Sequence, residues 1–166
     1  QKSVKRTLPK DLKNIPLGGL AQDQTASLHP TGSLVVAVLQ DAVGLLQATP
    51  TLVFMPDDAR LGKFREDFAN TLGTIEERPE DDEGGVTFAG AKKISDTNKL
   101  LEKLEESTED RLDQRNYLTA RLLDFLVGDT DRGADQWHFA KFEHGKHDVY
   151  RPIPRDRDYA FMKVDG

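Results

Sequence analysis

A chain of 166 residues with 37% apolar content is long enough to bury one sizeable core, or one complete lobe and part of another. Its net charge of −6, with acids and bases interleaved, excludes the broad basic surface that nucleic-acid or anionic-lipid binding requires. The lack of cysteine removes disulfides and thiolate metal sites, leaving the compartment open, and the longest apolar run, Ser33 to Leu39, is far too short to span a bilayer. With no initiating Met and an end just after an acidic cluster, the chain reads as a piece of a longer protein.

Residues 1–19 are basic (Lys2, Lys5, Arg6, Lys10, Lys13) and punctuated by Pro and Gly, as in a strand end followed by a loop. A helix is expected from about Ala21, broken around His29-Pro-Thr-Gly32 and resumed as a buried helix from Leu34 to Gln47. Thr51 to Met55 reads as a strand ended by Pro56-Asp57-Asp58, and a second strand is expected over Leu72 to Arg78. The acid-rich stretch from Glu76 ends in Gly84-Gly85, and its part from Glu80 reads as a solvated loop. Ser95 is placed to cap a helix carrying Leu100, Leu101 and Leu104. A second helix from about Thr108 carries Leu112, Leu118, Leu122 and Phe125 at helical spacing, which makes one face apolar. After Gly128 the period changes to two: Trp137 to Phe142 and His147 to Arg151 alternate around Glu143-His-Gly-Lys146, a β-hairpin with Gly145 supplying the positive φ.

Two acid clusters, Asp129-Thr-Asp-Arg-Gly-Ala-Asp135 and Arg155-Asp-Arg-Asp158, bracket that hairpin, which brings Asp131 and Asp156 close in space. An acid, an amide at Gln136, a hairpin and another acid form one arrangement that holds metal ions against phosphates, so phosphoryl transfer is the leading expectation. Other readings compete. A calcium loop wants Gly at its sixth position and Glu at its twelfth, where this chain has Ala134 and Ala140. A surface turn would use the Asp side chains only to cap backbone N–H groups, although acids lying between an apolar strand and Tyr159-Ala-Phe161 need partners or a metal. Of the four histidines, His144 and His147 with Asp148 form either a polar turn or a weak zinc site. Neither a nucleophile elbow nor a Walker motif is present.

The run Gly128-Asp-Thr-Asp-Arg-Gly-Ala-Asp-Gln-Trp137 with Pro152-Ile-Pro-Arg-Asp-Arg-Asp-Tyr-Ala-Phe161 resembles the kinase-like domain of large bacterial envelope proteins. Some of these continue into an outer-membrane barrel and carry a surface-antigen or metallophosphoesterase label. Asp23 to Pro30, Ala48 to Leu52, Pro56-Asp-Asp, Leu61 to Phe68 and Glu76 to Pro79 agree with that resemblance. More remotely, the pattern is similar to atypical kinases that include spore-coat, secretory-pathway and toxin-type members.

The resemblance implies an α+β, partial protein-kinase-like fold. Residues 1–79 become a small-lobe remnant and interlobe linker, 80–94 an acidic, glycine-containing loop region, and 95–166 the start of a large lobe. It implies that Asp131 accepts or orients the nucleophile's proton and that Arg132 pairs with a loop acid or a phosphate. Gln136 and Asp156, with Asp158 as second choice, would bind Mg²⁺ or Mn²⁺. Lys2, partnered by Asp23 or Gln24, would contact the phosphates of ATP, and the linker around Glu77 and Arg78 would read the base. Lys63 and Arg65 could add phosphate contacts, though a helix surface suits them as well. Implied partners are the nucleotide and a protein or small-molecule acceptor, without nucleic acid, and the implied setting is the cell envelope. Thr130 and Gly133 stand where relatives usually carry an aromatic and His, Gln136 replaces the Asn usual in the protein-kinase arrangement, and the fragment alone is expected to be inactive. The alternative is a non-catalytic pseudokinase or scaffold that pairs Asp131 or Asp156 with Arg132, Arg155 or Arg157. A third reading, a calcium-stabilised adhesion module, needs Asp129 and Asp135 to point inward.

Overall fold

The structure, a computed structural model, describes residues 27–80 and 88–163. It is an α+β chain with one two-stranded and one four-stranded sheet. Helix α1 (Gly32–Ala42) comes from the apolar run after His29-Pro30 and turns Val36, Ala37 and Gln40 inward. It is shorter than the expected span to Gln47, because the amide of Leu45 returns to the carbonyl of Gln40 (3.0 Å) and closes the helix. Its first residue must be glycine, since a Cβ on Gly32 would lie 2.8 Å from the carbonyl oxygen of Ala160. That close approach seats α1 on the segment that follows the hairpin.

Strands β1 (Thr51–Met55) and β2 (Thr71–Ile75) pair antiparallel from Thr51↔Ile75 to Met55↔Thr71. A 3₁₀ turn capped by Asp58 and a one-turn helix α2 (Arg65–Phe68) connect them. Strand β2 stops at Ile75, short of the expected Arg78, where the pairing with Thr51 ends. Residues 76–80, which follow it, have no regular secondary structure.

Strand β3 (Lys93–Asp96) leads into α3 (Thr97–Glu106). Ser95 is not the cap: it is buried in β3 opposite Phe139, and the Asp96 carboxylate takes the N-cap bond from the Lys99 amide at 2.8 Å. The helix expected from Thr108 starts later. Asp110–Leu112 is strand β4, parallel to β6, and Asp113 then caps α4 (Gln114–Val127) through the Asn116 amide at 2.9 Å. Tertiary pairing with β6 overrides local helix propensity in residues 110–112.

The hairpin is as its alternation predicts: β5 (Trp137–His144) and β6 (His147–Pro154) pair up to His144↔His147, with Gly145 at φ 66° in the two-residue turn. The sheet order is β3-β5-β6-β4. The pleat sends Trp137, Phe139 and Tyr150 to a core shared with α1, α3 and α4. On the opposite face Ala140 and Ile153 meet Phe88, Ala91 and Ile94. The buried stripe of α4 is Ala120, Leu123, Asp124 and Val127, whereas the apolar face read from Leu118, Leu122 and Phe125 points outward, Phe125 being 77% exposed. The inward stripe escaped notice because a carboxylate lies in it.

Candidate functional site

The last turn of α4 ends on Gly128 in the left-handed region (φ 66°), which reverses the chain so that the Asp129 amide bonds the Asp124 carbonyl at 2.9 Å. Asp124 and Asp129 are both buried, and two guanidinium groups meet them. Arg157 Nη1 donates to Asp124 and, at 2.9 Å, to Asp129 Oδ2, while its Nε donates to Gln40 Oε1 of α1 at 3.3 Å. Arg132 lies 3.6 Å from each carboxylate, and Arg121 adds a 2.7 Å bond to Asp124 from the rim. Charges this deep are tolerated only because they are matched. Burial nevertheless raises the carboxyl pKa of Asp129 against the pull of Arg157 and Arg132. Burial and the neighbouring Arg157 lower that of Arg132.

Arg132 also ties together the two acid clusters. Its Nη1 donates to the carbonyls of Arg155 (2.6 Å) and Asp156 (3.3 Å), and its Nη2 to that of Gln136 (3.1 Å). The Arg155 amide reaches the same Gln136 carbonyl at 2.9 Å, and the guanidinium sits 4.8 Å from the centre of the Trp137 ring. The turn that carries Asp131 and Gln136 is thereby fixed against the exit of β6 that carries Asp156. Arg132 itself, expected to act beside Asp131, is buried among these partners, with a side chain 2% exposed.

Asp131 and Asp156 are exposed, Gln136 and Asp158 half-buried. Asp156 stands in the left-handed region at φ 51° and lines a small cleft, of about 20 Å³, with Gln40, Glu76, Pro154, Arg155 and Arg157. Among the described residues neither Asp131 nor Asp156 enters an ion pair, because Arg132 and Arg157 are committed to Asp124 and Asp129. Partial burial and the nearby Asp156 carboxylate raise the pKa of Glu76, with Arg155 opposing them. Of the acids that a calcium module would turn inward, Asp129 is buried on arginines and Asp135 is exposed.

The linker ends on Pro79, which is fully buried. Its carbonyl lies 2.7 Å from His138 Nδ1, and His138 Nε2 lies 3.1 Å from Arg155 Nη1. A carbonyl only accepts and a guanidinium only donates, so the ring carries its proton on Nδ1 and is neutral. Burial lowers the His138 pKa; the Pro79 carbonyl opposes that shift and the Arg155 charge adds to it. Glu77 and Arg78 are exposed, Arg78 pairing with Glu80 at 2.5 Å. Lys63 lies over the Phe64 ring and Arg65 pairs with Asp57, both on the surface segment between β1 and β2. Lys2, Asp23 and Gln24 lie outside the described residues.

Neither a protein-family model nor a curated protein matches the chain. The site therefore rests on its own geometry. Among the described residues no three His, Asp or Glu side chains are grouped to hold a metal ion. A Mg²⁺ ion uses one or two carboxylates together with substrate phosphates, so Asp156 at the cleft suits that ion as a single ligand. Three residues of this constellation were not singled out from sequence: Asp124, Gln40 and His138. The available signals were a charged or amide residue inside an apolar helical stripe and a histidine at an inward position of a strand.

Proposed function

We propose that this chain carries the metal- and nucleotide-binding part of a protein-kinase-like phosphotransferase that uses ATP with Mg²⁺ or Mn²⁺. One observation carries the reading: Arg132 and Arg157, chain neighbours of Asp131 and Asp156, pair with Asp124 and Asp129, Arg155 bonds His138, and both acids remain exposed, Asp156 at a cleft. A scaffold that used its acids structurally would pair them with those arginines.

In this reading Asp156 holds the metal, with Gln136 as a further oxygen donor and Asp158 as the substitute ligand. Asp131 accepts or orients the proton of the attacking hydroxyl, and backbone groups around Glu77 and Arg78 receive the base. The ion, when bound, neutralises charge on the phosphate oxygens as the bond to the leaving group breaks. The acceptor is a protein or a small molecule, and the setting is the cell envelope of a bacterium, in a parent chain that can include an outer-membrane barrel. Binding is the informative readout, because it does not require the acceptor. Calorimetric titration with ATP, with and without Mg²⁺, should give metal-dependent heat that disappears in Asp156→Ala. A folded protein giving no heat in either condition belongs to the non-catalytic alternative.

A further inference from the structure

The exit of β6 holds a backbone conformation uncommon for residues other than glycine, though Asp is among those that adopt it: Asp156 at φ 51°. The side-chain constraints next to it come from two guanidinium groups and the acids they share, beside main-chain bonds of Arg155 and Arg157. Before Asp156, the Arg155 amide is bonded to Gln136 and its carbonyl to Arg132. The carbonyl of Asp156 is bonded to Arg132 as well. After it, the side chain of Arg157 is fastened to Asp124, Asp129 and Gln40. Both arginines converge on the carboxylate pair at the end of α4, and Arg132 is the residue next to Asp131 in the chain.

We infer that Arg132 and Arg157 form a two-guanidinium clamp that holds Asp156 in its left-handed conformation at the cleft and sets its position relative to Asp131. They are positioning residues, and their role as such rests on the phosphotransferase reading; the conformational part of the inference does not. The two-nitrogen fork matters, because Arg132 spreads its three carbonyl bonds over Nη1 and Nη2 with the guanidinium 4.8 Å from the centre of the Trp137 ring, a spread that the single nitrogen of an ammonium does not reproduce. The clamp joins at the α1 end through a single 3.3 Å bond, Gln40 to Arg157, so that end is its weaker joint.

The test uses the whole chain, isotopically labelled, and reads two quantities in each variant: the sign of φ at Asp156, from three-bond couplings and carbon shifts, and the affinity for Mn²⁺–ATP, from paramagnetic line broadening. Arg132→Lys is expected to abolish the positive φ and to weaken Mn²⁺–ATP by about tenfold to a hundredfold, the usual range for a residue that orients a metal ligand. Ile153→Val lowers the melting temperature through the core alone and should leave both readouts unchanged. Gln40→Leu removes only the weaker joint and serves if Arg132→Lys does not fold, with a smaller change in the same direction. A lowered melting temperature with φ and affinity unchanged overturns the clamp, as does an equal loss of affinity in Ile153→Val. A wild-type chain that ignores Mn²⁺–ATP while φ still depends on Arg132 sinks the phosphotransferase reading and keeps the clamp.

Discussion

The two sheets end in opposite states, although the strands of the smaller one are the more apolar. Strands β1 and β2 bury no residue, and Leu52, Phe54, Leu72 and Ile75 all remain about half exposed or more. In the four-stranded sheet, Trp137, Phe139, Tyr150 and Ile153 are almost entirely removed from water. Layers make the difference. The larger sheet has α1, α3 and α4 on one face and residues around Phe88 and Ala91 on the other, whereas among the described residues the smaller one has the 3₁₀ turn and the one-turn α2 in its connection. A two-stranded ribbon without a covering layer has little to stabilise it. Asp131, Gln136 and Asp156 all stand beside the layered sheet, and Glu76 to Pro79 follows the exposed one, Glu76 lining the same cleft as Asp156.

That contrast can be broken most severely at Asp124. Asp124→Ala strands Arg157 in the interior and should lower stability by about 3–5 kcal/mol in denaturant titration. Ile153→Ala, which opens a cavity between β6 and Phe88, should cost about 2–5 kcal/mol by the same measurement. His138 makes stability depend on pH. Its folded pKa is depressed below the ordinary 6.5, so the stability it contributes is complete above 6.5 and declines as pH falls from there through the lower folded value. The slope should approach, at most, about 1.4 kcal/mol per pH unit and should vanish in His138→Asn when thermal unfolding is followed across that window. Phe54→Ala on the bare sheet should change stability by less than about 0.5 kcal/mol; a loss comparable to that of Ile153→Ala would show that this sheet is covered in solution.

How much of this was legible follows from where each signal resides. The hairpin could be read because alternation, Gly145 and the flanking acids lie within one contiguous stretch. Strand β1 was legible for the same reason, its bounds falling on Thr51 and Met55 as expected. Strands β3 and β4 were not, since a few residues carry no usable period and they are strands only by pairing with Phe139 and Tyr150, far along the chain. In the site, Asp131 and Asp156 could be named because exposed acids around a hairpin are conspicuous. Asp124 was not among the named acids, since a carboxylate in a helix is ordinarily solvated. Its burial depends on Arg132 and Arg157, whose arrival no local rule announces.

The chain contains one tryptophan, and its indole ring lies directly under the Arg132 guanidinium and 5.1 Å from the ring of Tyr117. Trp137 is thus a built-in optical gauge: any displacement of the arginine that joins the two acid clusters changes the charge above the only indole. Emission wavelength and lifetime then report the state of the site in unlabelled protein, separately from the tyrosines.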